Sequence, residues 1–294
     1  MQVLENDKFK VEIDELGAQL THLYNKKENF DYIWNGKLWP KHAPVLFPAI
    51  GRSVNDKYLI DGTKYDMPQH GFAGEQIFTV KKNTGKVLVL DLIANEETKK
   101  MFPFDFKLTI TFELGEQGLS YHFSVLNQES DREFSFSLGS HPAFNVPING
   151  EGKFTDYTLK FEPSDLELKQ FEIVKTPNPY RTGKVITLSA ADAGLINLNY
   201  DMFEDGLVII ENDGLKGVTL SSQNTDHQVH LSLADFRYVC LWTKEGVQAP
   251  FLCIEPFAGL PDVVDQPSEL MEKEANTRLA PGQIKNFEYA ITLQ

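Results

Sequence analysis

Apolar residues recur at every second position along most of this chain. Phe9, Val11 and Ile13 alternate with Lys8, Lys10 and Glu12, and Phe106, Leu108, Ile110, Phe112 and Leu114 alternate with Lys107, Thr109, Thr111 and Glu113. Tyr121, Phe123 and Val125 form a third such stripe. Successive side chains on a strand point to opposite faces, so these segments predict half-buried strands with one wet side. Val87 to Leu92 and Leu207 to Ile210 are apolar on both sides and are expected in the middle of sheets. Turn-forming clusters separate the runs, at Asn83-Thr84-Gly85, Glu116-Gln117-Gly118 and Asn212-Asp213-Gly214. Helical periodicity is scarce. Ser268 is placed to cap one short helix through Leu270, Met271 and Glu274, ahead of Pro281-Gly282. Many strands without intervening helices predict an all-β fold, antiparallel sheets packed as a large sandwich. No Pro/Ser/Gly-rich linker, repeat or low-complexity stretch divides residues 1–294, which read as one domain.

Composition narrows the function. Lys and Arg total 28 against 42 Asp and Glu, a formal charge of −14. Phosphate neutralisation needs basic stripes, so nucleic acid is not an expected partner, and an anionic membrane is equally disfavoured. The 41% of hydrophobic residues supports a packed core rather than disorder, yet no apolar run approaches a membrane span. The opening residues Met1 to Glu5 lack the basic flank and small-residue cleavage site of a secretory signal. The two cysteines, Cys240 and Cys253, sit in apolar runs without basic neighbours and read as buried core thiols. A reduced, cytoplasmic protein is the expectation. Dinucleotide, nucleotide and zincin motifs are missing, so no cofactor is expected.

Two strand ends carry residues that packing alone does not explain. In Phe134 to His141, one face shows Phe134, Phe136 and Leu138, and the other Ser135, Ser137, Gly139 and His141. The second face is small and uncharged, as suits a groove wall that a ligand approaches; a satisfied strand-end histidine is the alternative. Glu255 ends an apolar run on the same face as Phe251 and Cys253, where partial burial would raise its pKa and make it a candidate proton acceptor, or a structural hydrogen-bond partner. His70, beside Gly71, and Arg52, after Phe47-Pro48-Ala49-Ile50-Gly51, offer hydrogen-bond donors of the kind that hold sugar hydroxyls. His122 lies on the polar side of its strand. His227 and His230 should face apart, and His22 and His42 have no suggestive neighbours, so no metal site is expected.

Four segments in order resemble the aldose 1-epimerase (galactose mutarotase-like) family, most closely its LacX-like branch: Phe47 to Arg52, Pro68 to Ala73, Ser140 to Asn145 and Ile254 to Gly259. Gly17-Ala18-Gln19-Leu20 and Leu279-Ala280-Pro281-Gly282 add to a likeness that spans the chain. The resemblance implies a β-supersandwich that binds a hexose in an open cleft without metal or cofactor. It implies Glu255 as general base on the anomeric hydroxyl and His141 as general acid on the ring oxygen. His70 and Arg52 would hold the sugar, with Asp205, or the neighbouring Asp201, gripping hydroxyls. Phe72, Phe144 and Phe257 are candidates for stacking on the sugar. Where related sequences often read His-Gly-Phe-Ala-Arg, this chain has Gly74, which removes a cation useful for gripping phosphate. The expected activity is mutarotation of a free aldohexose such as galactose or glucose. A non-catalytic carbohydrate-binding protein and a mutarotase for a phosphorylated hexose remain alternatives. The expected partner is a small-molecule sugar, and the sequence is compatible with a monomer or a homodimer.

Overall fold

The computed structural model describes residues 1–175, 179–211, 214–233 and 235–294. Two large sheets dominate. A ten-stranded sheet runs in the order Ala191–Asp192, Leu195–Asn197, Tyr157–Glu162, Gly217–Ser222, Val229–Ser232, Ile284–Leu293, Gly118–Asn127, Phe106–Leu114, Val87–Ile93, Thr79–Asn83. An eight-stranded sheet runs Tyr180–Thr187, Lys169–Val174, Val208–Glu211, Tyr238–Trp242, Phe251–Ala258, Leu138–Ser140, Val45–Leu46, and Ala143–Asn145 also pairs with Phe251–Ala258. Both sheets are antiparallel, as the short turns between neighbouring strands require. A four-stranded sheet formed by the first strands packs onto the same core.

Alternation decides which face goes inside. Leu108, Ile110 and Phe112 of one sheet and Val239, Leu241, Leu252 and Ile254 of the other belong to one apolar core that reaches from Leu4 to Leu293. Each fully buried side chain of this size is worth about 1.5–3 kcal/mol. The predicted stripes of Phe9–Asp14, Phe106–Leu114 and Gly118–Asn127 all lie as expected. Val208–Glu211 is interior, but Val87–Ile93 is next to the edge of its sheet and keeps Val87 and Val89 half-exposed. Of the three turn clusters, Asn83-Thr84-Gly85 and Glu116-Gln117-Gly118 connect neighbouring strands. Asn212 and Asp213 of the third lie outside the described residues.

Two helical details differ from expectation. The turn near Ser268 is a single 3-10 turn, Leu270–Glu272, with Glu269 at its N-cap. The Ser268 hydroxyl donates instead to the buried Asp262 carboxylate at 2.7 Å, a stronger partner than exposed helix N–H groups. The one α-helix among the described residues, Glu96–Met101, escaped the periodicity because it has only six residues; Asn95 and Thr98 form its capping box. No helix of the described residues is long and apolar enough to cross a membrane.

Candidate active site

Strand Phe251–Ala258 carries Glu255 on the face turned away from the main core. On one side Cys240 lies directly opposite Glu255 and Trp242 opposite Cys253. On the other side Gly139 pairs with Phe257 and Ala143 with Cys253. The partner chain is interrupted at His141-Pro142, because Pro142 has no N–H and the His141 N–H turns to Pro44 O at 3.1 Å. Yet the register is the same on both sides of the gap, and Ile254 N–H donates across it to Pro142 O at 3.2 Å. His141 therefore falls opposite Glu255, where cross-strand side chains meet. Its Nε2 is 3.2 Å from Glu255 Oε2. Glu255 sits between two satellite apolar clusters: Cys253 and Phe251 join Trp34 and Ala143, and Cys240 and Phe257 join Ile209 and Tyr238.

Both partners are withdrawn from water, with Glu255 1% and His141 7% exposed. Burial pushes the Glu255 carboxyl well above the usual carboxylate range, opposed only by the Cys240 side chain. Burial pushes His141 well below the usual histidine range, aided by His70 and Lys41. Both shifts favour the uncharged pair, carboxylic acid and imidazole. This starting state differs from an ionised Glu255 beside a protonated His141. Glu255 Oε2 and His141 Nδ1 have no hydrogen-bond partner. Buried polar atoms left open in this way are costly, and ligand-binding sites are where that cost is tolerated.

Two docked loops bring His70 and Arg52 alongside. His70 N–H donates to Gly51 O at 2.8 Å, Phe47 N–H to His70 O at 3.2 Å, and Phe72 N–H to Phe47 O at 3.0 Å. Gly71 is required here: its φ is +73°, and a Cβ would lie 2.2 Å from Phe47 O. Gly51 N–H donates to His70 Nδ1 at 3.1 Å, which leaves the proton of a neutral ring on Nε2. Burial, with Lys41 and Arg52 nearby, pushes the His70 pKa down to about 3, so the ring stays neutral; its Nε2 lies 3.3 Å from the Gln69 side-chain amide. The His70 and His141 rings meet edge-on at 5.5 Å. Arg52 Nη1 lies 3.7 Å from exposed Asp56, and its Nε is buried without a partner.

His70, His141 and Glu255 thus meet at one place, and Arg52 lies close enough to His70 to act on its charge. Asp205 is exposed, and no hydrogen bond or ion pair links it to these four among the described residues. Asp201 lines a groove with Lys175, Thr243, Lys244 and Glu245. Ser135 and Ser137 do not wall a groove either. Both are fully buried, with Ser135 Oγ donating to Leu270 O and Ser137 Oγ to Asn276 Oδ1 at 2.6 Å. Phe72, Phe144 and Phe257 are buried in apolar clusters and leave no ring face for a ligand. The aromatic rings against the site are instead those of Trp39 and Trp242. Trp39 stacks on His141 at 4.9 Å, and Trp242 meets His141 edge-on at 5.8 Å. Trp242 was visible only as the alternate position on the strand beside Glu255, and Trp39 carried no local signal. Lys41, held by Glu75 at 2.8 Å, is a cation that motif reading also missed.

The other histidines have separate partners. His22 contacts Asp31 at 2.5 Å and His42 contacts Trp34 O at 2.8 Å. His122 meets Glu288 at 3.2 Å, His227 meets Glu28 at 2.9 Å, and His230 meets Thr219 at 3.0 Å. The cysteines are buried and unbridged as expected, but Cys253 lies in the site: its sulfur, a His141 nitrogen and a Glu255 oxygen are within 4.8 Å of one another.

The model of the family described as aldose 1-epimerase matches residues 1–278. The chain belongs to the aldose 1-epimerase family. It is therefore an isomerase by class, acting on a small-molecule sugar. Among solved structures it is similar to a galactose mutarotase-like protein from Lactobacillus casei ATCC 334, with 39% identity, a TM-score of 0.95 and 100% of both chains covered. The chromosomal protein LacX of Lactococcus lactis subsp. lactis is 25% identical over 99% of this chain and 98% of its own. A protein of Escherichia coli (strain K12), provisionally named a glucose-6-phosphate 1-epimerase, is 34% identical over 108 residues, 35% of this chain and 32% of its own. The family's supersandwich architecture agrees with the antiparallel sheets of this structure.

Proposed function

We propose that residues 1–294 work as one unit that interconverts the α and β anomers of a free aldohexose such as galactose or glucose, by acid–base ring opening. The observation that carries this reading is the buried, hydrogen-bond-deficient Glu255–His141 pair, with Nε2 3.2 Å from Oε2. The pair holds one exchangeable proton. A sugar brings a C1 hydroxyl that donates and a ring oxygen that accepts. Donation to Glu255 favours its carboxylate, so the proton shifts to His141 as the sugar binds. Glu255 then removes the C1 hydroxyl proton while His141 protonates the ring oxygen. The C1–O5 bond breaks, giving an open-chain aldehyde and returning the pair to its uncharged state. After rotation about C1–C2, the carbonyl takes the Glu255 proton and the C5 hydroxyl returns its proton to His141 as the ring closes. General acid–base help of this kind contributes ~10²–10⁴-fold.

His70 Nε2–H and the Arg52 guanidinium hold hydroxyls, and Trp39 and Trp242 offer apolar faces to the C–H side of the sugar. A non-catalytic binder has no need of a buried acid–base pair. Two free thiols, Cys240 and Cys253, favour a reducing, cytoplasmic setting. Polarimetry on freshly dissolved α-glucose and α-galactose tests the proposal. Acceleration by the protein that is lost in Glu255→Gln supports it. Binding of either sugar without any acceleration overturns it in favour of a carbohydrate-binding role.

A further inference from the structure

The geometry points to a second use of the same floor: we propose that His141, Cys253 and Glu255 bind a thiophilic divalent cation, zinc by its chemistry, and that this ion competes with the sugar. Binding is independent of the functional reading above, whereas the competition rests on it. The donor set is an imidazole nitrogen, a thiol sulfur and a carboxylate oxygen, the three ligand types zinc takes most readily. Their candidate ligand atoms already lie within 4.8 Å of one another. Tetrahedral zinc with bonds of roughly 2.0–2.3 Å needs ligands about 3.3–3.8 Å apart, so rotation of the side chains closes the set.

Two further observations favour an ion here. Glu255 Oε2, in a side chain that is almost fully buried, has no hydrogen-bond partner and lies 3.2 Å from His141 Nε2. Cys253 is fixed by the same ladder as the acid–base pair, since Ala143 and Trp242 flank it in register. Charge also balances. As the S–Zn and O–Zn bonds form, the thiol and carboxyl protons leave to solvent, and His141 stays neutral. A dication with a thiolate and a carboxylate has no net charge, which suits a site with little water. Three protein ligands leave a fourth coordination position for a water or a sugar hydroxyl.

The test uses the full chain, freed of metal by a chelator and titrated with cobalt chloride and zinc chloride. Cobalt bound to a thiolate shows a sulfur-to-metal charge-transfer band in the near ultraviolet, and calorimetry gives the zinc affinity. The expected result is one site with that band. Zinc affinity should fall at least about tenfold in Cys253→Ala and in Cys253→Ser, which lose the thiolate ligand. Zinc should raise the apparent KM for galactose and leave kcat alone, and this effect should weaken by the same factor in Cys253→Ala. No charge-transfer band, or zinc affinity equal in wild type and both Cys253 variants, overturns the proposal; the ion would then sit on surface pairs such as His22–Asp31 or His227–Glu28. A cobalt band in a protein that never accelerates mutarotation supports the metal site and separately overturns the proposed function.

Discussion

Replacing Glu255 by Gln separates the chemistry of the site from its stability, and the two should move in opposite directions. Gln matches the uncharged carboxyl in size, so it fits the space between Cys253, Cys240 and His141. Loss of the base should lower the catalysed rate at least ~10²-fold, the low end for acid–base assistance, equal to about 2.7 kcal/mol of barrier. Stability should respond differently. The folded-state pKa of Glu255 is raised above its unfolded value, so its contribution is complete below about pH 4.5 and drains away as pH rises toward the raised value. The rate of loss is about 1.4 kcal/mol per pH unit. His141, whose folded-state value is depressed, acts in the other sense: its contribution is complete above the unfolded value near 6.5 and is lost as pH falls. Wild type should therefore lose stability from this pair above about pH 6.5, the unfolded value of histidine. The proton count does not depend on which partner holds the proton. Glu255→Gln removes the carboxyl's share, so the variant should gain in stability relative to wild type as pH rises from 5.5 to 7.5. Urea denaturation at the two pH values, followed by circular dichroism, measures this. An identical pH trend in both proteins, or a variant that is inactive and uniformly destabilised, would refute the reasoning.

Three other perturbations test the walls and supports of the cleft. Trp39→Ala should raise KM for galactose roughly two- to tenfold with little change in kcat, as expected for a lost aromatic contact, measured in an anomer-specific coupled assay. Gly71→Ala forces a Cβ to within 2.2 Å of Phe47 O at a φ of +73°. Backbone strain alone costs about 1–3 kcal/mol, so a lowered urea midpoint and a raised KM should appear together. Specificity constants should favour galactose over galactose 6-phosphate by roughly tenfold to a hundredfold, one charged hydrogen bond of about 1.5–3 kcal/mol, because Gly74 supplies no cation and Lys41 is engaged by Glu75. A preference for the phosphate would show that Lys41 and Arg52 compensate.

What could be read from the sequence was what neighbouring residues determine. Alternation at Phe9 to Ile13 and Phe106 to Leu114 fixed strand faces because burial on a strand is a local, period-two property. Ser135 and Ser137 were misread as a groove wall, since a small polar face looks the same whether a ligand or a distant segment covers it; here Leu270 and Asn276 do. The bulky phenylalanines near the motifs were plausible stacking partners by proximity in sequence, yet their side chains follow the core face. Trp39 and Trp242 each reach His141 from about a hundred positions away, Trp242 through the strand pairing beside Glu255 and Trp39 from a loop, and no window along the chain reports either contact. Asp201 and Asp205 are both exposed, and Asp201 lines a groove with Lys175 and Lys244; which of them meets a sugar is set by how distant loops come together rather than by neighbouring residues.

The unbroken register across the His141-Pro142 interruption makes the acid–base spacing a property of strand pairing. A single inserted or deleted residue between Gly139 and Ala143, or between Cys253 and Phe257, would turn one of the two groups to the opposite face, and no adjustment of rotamers could bring it back. Trp39, by contrast, rides on a loop outside that ladder, which can change length or composition without changing the register of Glu255 against His141. The fold thus fixes the spacing of His141 and Glu255 by register, which tolerates substitution but not slippage, while the loop that carries Trp39 lies outside that constraint.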